Sequence, residues 1–418
     1  MDRKHRPAVL VLIAFFVSSV ACSLFAQQLE PDQLPLNSAP SAMGGSGHVP
    51  PVFLGPHSPT GPAGTAAAST PDTVITFSGS YFTGSGATRQ QFFFNMVGHD
   101  PSLAATTTLN APIIPVSLDL RNADGTPRFV NGHRLFYDVT KFIAPLLASP
   151  IFQNATYSSS GRATQFVDAI QRAEFFHSAS SAWHTVLKPA VKPTRVMTLL
   201  AGSYKFATNA DGTCCAFVLV DSATFSRKLF PSSPTDSTSI FGAALHAGSF
   251  TTKDVTTFFF PNTFLFSGTS NFFLVGFHTF VSMPGTPQNG NRERRFVMNF
   301  STWVTPFVFF GDAFQDVTGV SHEVTELFND PFLANITPWW KAPNSICQNN
   351  LETGDVVEDL ANATFPVTVK GVTYHPQNEA LLEWFERQAP SQAIHADYSY
   401  PDEKLLTSLS AAEKPGCR

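Results

Sequence analysis

Gly311-Asp-Ala-Phe-Gln-Asp316-Val-Thr-Gly-Val-Ser-His322-Glu323-Val-Thr-Glu326-Leu-Phe-Asn-Asp-Pro331 carries two helical patterns at once. Val317, Val320, Val324, Leu327 and Phe328 recur at helical spacing and predict one buried stripe. Thr318, His322 and Glu326 fall on a second face, where a four-residue step stacks the His322 and Glu326 side chains over one turn. Asp312 or Asp316 is expected to cap the start of this helix, and Pro331 to end it.

An imidazole and a carboxylate stacked in this way can share a metal ion, since both ligate zinc at about 2.0–2.2 Å. The pattern is HExxH with Glu in place of the second His. Glu323 follows the first ligand directly and is placed to act as general base for a water. A third ligand must come from elsewhere, and Leu351-Glu352-Thr-Gly-Asp355 offers Glu352 and Asp355 around a Gly expected to permit a tight turn. Two carboxylates and one His make an anionic site, suited to zinc but also to a harder ion such as calcium or manganese. The competing account is a solvated helix face followed by an acidic loop.

Ser321-His-Glu-Val-Thr-Glu326-Leu-Phe-Asn-Asp-Pro331, followed by Cys347-Gln-Asn-Asn-Leu-Glu-Thr-Gly-Asp355, resembles the SHExxExxxDP…C…ExGD signature of secreted bacterial zincin-like, metallopeptidase-like proteins. Plant exordium-like (phosphate-induced) proteins are more distantly similar. The likeness is specific over these two motifs and extends plausibly over residues 310–418. It implies a zincin-like α/β (α+β) fold, a mixed twisted sheet carrying an active-site helix, with His322 and Glu326 as ligands, Glu323 as base and Glu352 or Asp355 completing the site. The missing second His departs from the peptidase pattern. In zincins a strand beside the metal helix aligns the substrate, which makes His278, in Val275-Gly-Phe-His278-Thr-Phe280, a weaker candidate for the cleft. His375, in Thr373-Tyr-His-Pro376, is a second weaker candidate, as an extra ligand or transition-state donor. The ordinary account of His278 is a satisfied core histidine.

The rest of the chain frames this motif. Of 418 residues 43% are hydrophobic and 14% charged, against about 25% charged in an average chain, so a large core is expected and wholesale disorder is excluded. A net charge of −5 argues against a nucleic-acid binder. The charge is unevenly spread: residues 310–418 hold 16 acidic and 6 basic side chains, residues 27–309 hold 14 and 17. Sixteen Phe lie between 241 and 310, and a sheet core accounts for them better than an aromatic groove.

The N-terminus reads as a secretory leader, a basic Met-Asp-Arg-Lys-His-Arg6 followed by an apolar run from Ala8 to Ala21, with cleavage expected after Ala26. Ser19-Val-Ala-Cys22 offers a lipid-anchored alternative that lacks the usual Leu, and membrane attachment is expected only in that case. Export permits disulfides among Cys214, Cys215, Cys347 and Cys417; three connectivities exist and Cys347–Cys417 is the first to test. Residues 27–72 read as a Pro/Ser/Gly-rich linker, and 73–418 as one domain, a Phe-rich sheet and helix body over 73–309 with an acidic metal-site and C-terminal subdomain over 310–418. Within it, strands are expected at Thr108–Leu120, Arg195–Leu200, Cys215–Val220, Thr256–Phe266, Phe272–Val281 and Arg295–Val304, the last two flanking an Asn289-Gly290 turn. Helices are expected at Val139–Leu147, Thr164–Phe176 and Asn378–Arg387.

The expected function is that of a secreted metal-dependent peptidase, with zinc the first choice of ion and a polypeptide or cell-envelope component as substrate. The main rival is a non-catalytic envelope-associated protein that uses the same residues as a structural metal clip. A lipid-anchored surface protein binding through its Phe-rich sheet is a third reading. Oligomeric state is left open.

Overall fold

The computed structural model describes residues 29–36, 49–55, 70–158, 161–268, 273–342, 346–410 and 417. The leader, its cleavage site and Cys22 lie outside them. The fold is α+β, a mixed sheet with few helices. Its spine is β2 (Thr106–Arg121), sixteen residues long and buried from Ala111 to Leu120. The prolines at 112 and 115 do not interrupt it. Other strands of the sheet are β1 (Val52–Phe53), β3 (His184–Val191), β4 (Arg195–Leu200), β5 (Thr256–Pro261), β6 (Gly276–Met283) and β7 (Arg294–Trp303). In space β1, β6, β7, β5 and β2 follow one another, and β3 and β4 pair in turn with the two halves of β2. All these contacts are parallel except β6–β7, a hairpin closed through Gly290 at φ 71°.

Two runs that read as single strands are each divided between sheets. Thr256–Phe266 breaks at Asn262, whose φ of 22° turns the chain out of β5. Asn tolerates positive φ better than most residues, and here its amide is held by the Tyr137 hydroxyl at 2.6 Å and the Ala216 carbonyl at 2.8 Å. Thr263–Phe266 then pairs with Cys214–Asp221 in a second, four-stranded sheet. Phe273–Leu274 joins that sheet too, before the chain enters β6.

The phenylalanines form the core. Phe258, Phe260, Phe277 and Phe300 are buried, the last three in ring contact with Phe225 or with one another. Alternation along β6 sends Phe277 to that face and Gly276 and His278 to the other. Across β7 the partner of His278 is Asn299 and that of Gly276 is Ser301. The side chains of Asn299 and Ser301 are joined at 2.9 Å. One face of these strands is aromatic and the other carries a polar row.

Helix α1 (Phe166–Glu174) and helix α2 (Thr318–Asn329) are the helices that concern the site. α2 packs across β6 and β7 and against α1. Every residue of α2 is buried, so the stripe expected from Val317, Val320, Val324, Leu327 and Phe328 is only part of what it covers. Its start differs from expectation: neither Asp312 nor Asp316 caps it. The Asp316 carboxylate instead accepts the backbone N–H of Val317 at 2.6 Å and of His375 at 2.9 Å. The helix ends at Asn329, before Pro331.

Three further expectations change. Asn378–Arg387 forms only one helical turn, Leu382–Phe385, because Glu379–Ala380 pairs as a strand with Ser399–Tyr400. Val139–Leu147 is a 3-10 turn, Thr140–Phe142, leading into a short helix, Ile143–Ala148. Parts of the segment read as linker are docked: Val52–Phe53 extends the main sheet along β6, and Asp32 pairs with Arg128 at 2.8 Å. Both Cys347–Cys417 and Cys214–Cys215 are bridged. The acidic last quarter is not set apart, since Val320, Leu327, Val367 and Tyr400 share one core with the sheet. Among the described residues no helix is long and apolar enough to cross a membrane.

Candidate metal centre

The second face of α2 looks down on the polar row of β6. Gly276 is what lets the helix come so close: a Cβ there would lie 2.5 Å from Cγ and Oε1 of Glu323. Two residues further along the same face, His278 directs Nδ1 at three carboxylates. It lies 3.5 Å from Glu326 Oε2, 3.7 Å from Glu323 Oε2 and 3.7 Å from Glu352 Oε2.

From the other side the Glu352–Asp355 turn closes over α2. The backbone N–H groups of Gly354 and Asp355 both donate to Glu326 Oε1, at 3.0 and 3.2 Å. Gly354 does not have the positive φ of a tight turn. It is small because the loop rides over the imidazole, where a Cβ would lie 2.6 Å from His322 Nδ1. This contact brings Asp355 Oδ1 to 3.5 Å from His322 Nε2, while Glu326 Oε2 stands 3.0 Å away. Glu323 Oε1 is 4.0 Å from the same nitrogen.

The imidazole of His322 is oriented by Gln377, whose Oε1 lies 3.1 Å from Nδ1, leaving Nε2 to face the carboxylates. Gln377 is itself held at both ends, donating from its amide to the Gly354 carbonyl and from its backbone to Ser321 Oγ, each at 2.8 Å. Asp355 Oδ2 accepts from Gln348 at 2.5 Å and Glu352 Oε1 from Asn350 at 2.6 Å. Such outer contacts are what fix metal ligands in place. Gln348, Asn350 and Gln377 were not found from the sequence. Neutral amides carry no charge pattern, and Gln377 meets its histidine across 55 residues.

His322, Glu323, Glu326, Glu352 and Asp355 therefore converge, and His278 joins them. Each is 5% exposed or less. His375 does not. Its Nδ1 pairs with Asp316 Oδ2 at 2.8 Å, and its carbonyl accepts from the Thr318 hydroxyl, at the entry to α2.

Four candidate donor carboxylates and two imidazoles thus share one buried space, with Asp330, Glu358 and Glu379 buried beside them, where unpaired charge is costly. Burial works against protonation of His322, but Glu326 and Glu323 outweigh it and raise its pKa well above the ordinary value. His278 is raised likewise, burial being overcome by Glu352, Glu323 and Glu326. Burial pushes Glu323 up to about 7, with His322 pulling the other way. Glu326 falls below its usual range, burial being outweighed by His322. Both oxygens of Glu323, Oε2 of Glu326 and Nε2 of His278 are buried without a hydrogen-bond partner. Two sets of three residues have ligand atoms mutually within 4.8 Å: His322, Glu326 and Asp355, and His278, Glu323 and Glu326. This arrangement can hold a metal ion.

Searches with this chain found no matching family model, no matching curated protein and no matching solved structure.

Proposed function

We propose that this is an exported metal-dependent hydrolase acting on peptide bonds, in a zincin-like manner, with the ion held by His322, Glu326 and Asp355. The observation that carries the reading is the set of buried carboxylate oxygens on Glu323 and Glu326 that accept no hydrogen bond and face a space lined by two imidazoles. A buried anionic cluster of this kind is stable when a cation occupies it.

A divalent ion there supplies Lewis-acid polarisation of a carbonyl and acidifies water. The chain's own residues do the rest. Gln377 holds His322 by Nδ1 so that Nε2 serves as ligand. Gly354 and Asp355 hold Glu326 by their backbone N–H groups. Glu323, which stands beside both imidazoles with neither oxygen accepting a hydrogen bond, would take a proton from the attacking water and return it to the leaving amine. Zinc suits a site of one nitrogen and two oxygens, and the oxygen-rich surroundings also suit manganese or calcium.

Complete burial of the ligands favours a second reading, a structural metal clip with no turnover. Metal content and casein hydrolysis, measured on wild type, Glu323→Gln and His322→Ala, separate the two. Hydrolysis abolished in Glu323→Gln with metal retained supports the enzyme. Stoichiometric metal without turnover of a broad substrate panel supports the clip. Absence of metal after reconstitution removes both.

A further inference from the structure

We propose that the cluster is a dinuclear centre, two divalent ions bridged by Glu326, with the second held by His278 and Glu323. The inference rests on the metal reading above and extends it.

The donors divide into two sides around one atom. Glu326 Oε2 stands 3.0 Å from His322 Nε2 and 3.5 Å from His278 Nδ1. Ligand atoms bind zinc at about 2.0–2.2 Å, so an ion on either side of this oxygen can reach one of the two imidazoles. On the first side stands Asp355 Oδ1, 3.5 Å from His322 Nε2. On the second stand Glu323 Oε2 and Glu352 Oε2, each 3.7 Å from His278 Nδ1. The two sets share Glu326.

Donor number and charge agree with this division. Six side chains exceed the four that a single zinc site takes, and the two groups of mutually close ligand atoms hold one imidazole each. One divalent ion leaves two of the four donor carboxylates' negative charges against a single imidazole, among side chains that are each buried. Two divalent ions balance four carboxylates. Glu323 has an orphan oxygen toward each side, Oε2 toward His278 and Oε1 at 4.0 Å from His322 Nε2. It is thereby placed to ligate the second ion with one oxygen and accept a proton beside the first with the other. Paired ions about 3.5–4 Å apart, clamping both ends of a displacement, are an established hydrolytic device.

The test is stoichiometry. Metal-stripped protein is titrated with Zn²⁺ by calorimetry, its bound metal counted by mass spectrometry, and a parallel sample loaded with Mn²⁺ is read by electron paramagnetic resonance. Two ions per chain are expected, falling to one in His278→Ala, with an exchange-coupled Mn²⁺ spectrum in wild type. A single ion at saturation overturns the dinuclear centre and leaves the hydrolase reading standing. No ion at all overturns both. Two ions still bound by His278→Ala, or loss of one in His395→Ala, put the second ion elsewhere, the latter at the group formed by exposed His395 with half-buried Asp397 and Glu403. If His278→Ala does not fold, the wild-type spectrum decides, because two bound Mn²⁺ with isolated six-line signals overturn the proposal.

Discussion

Gln377 Oε1 lies 3.1 Å from His322 Nδ1, and through that contact the segment after Tyr374 sets the direction in which the helix histidine points. The same amide ties down the carbonyl of Gly354, so one side chain holds both the ligand and the loop that closes on it.

Replacing Gln377 by Leu removes both contacts while keeping an apolar volume close to the original. Metal affinity is expected to fall 10- to 100-fold, the range seen when an outer partner of a metal-binding His is lost. Circular dichroism should be unchanged, and Zn²⁺ calorimetry reads the affinity. An unchanged dissociation constant would show that His322 is held by something else.

Gly354→Ala puts a methyl group where the His322 imidazole now lies. The loop must lift, at a cost of about 1–3 kcal/mol for overpacking, and the backbone bonds to Glu326 Oε1 lengthen with it. The variant is expected to melt lower than wild type and to bind metal more weakly. His375→Ala, which removes a side chain that pairs with Asp316 outside the cluster, should leave metal binding intact.

Metal removal should destabilise the fold, and metal binding should release protons. Carboxylates raise both imidazoles above their ordinary pKa against the effect of burial, so the metal-free site holds protons that a ligand set must give up. Apparent affinity therefore falls as pH is lowered. Calorimetry in two buffers of different ionisation enthalpy should detect at least one proton released. At a free-ion concentration a hundred times the dissociation constant, stabilisation is about 2.7 kcal/mol, lost on adding chelator.

Glu174, on α1, supplies a pH test away from the ligands. Burial pushes its carboxyl up to about 8, while a 3.0 Å bond from Asn329 pulls it back down. The folded value exceeds the unfolded one. Burying this carboxyl therefore costs nothing extra below about pH 4.5, and the fold loses stability as pH rises from there through 8. Every tenfold difference in proton affinity between the folded and unfolded chain is worth about 1.4 kcal/mol. Glu174→Gln keeps an oxygen for Asn329 and should flatten this slope, making the metal-free variant more stable than wild type at pH 9. Denaturant midpoints across pH 4–9 give the comparison.

Much of the architecture is local in origin. The strand β2, the Phe-rich strands and the helix carrying His322, Glu323 and Glu326 follow from β-branched and aromatic runs and from helical spacing, which act over a few residues. The misreadings share a cause. Thr256–Phe266 reads as one Phe- and Thr-rich run, yet Asn262 is anchored by Tyr137 and Ala216 from distant parts of the chain and breaks it. Asn378–Arg387 has helical spacing, but Glu379 and Ala380 are taken up by Ser399 and Tyr400.

The site divides in the same way. His322, Glu323 and Glu326 were legible because a helix repeats every few residues and chemistry follows from that spacing. Glu352 and Asp355 stood out as carboxylates around a glycine, although the glycine serves close approach to an imidazole and not a positive φ. His278 could be read only as a weaker candidate for the cleft, because a histidine in an apolar strand looks the same whether its face meets solvent, core or a polar cluster. Which face met α2 was decided by sheet register, by a missing Cβ at Gly276 and by packing between segments far apart in the chain.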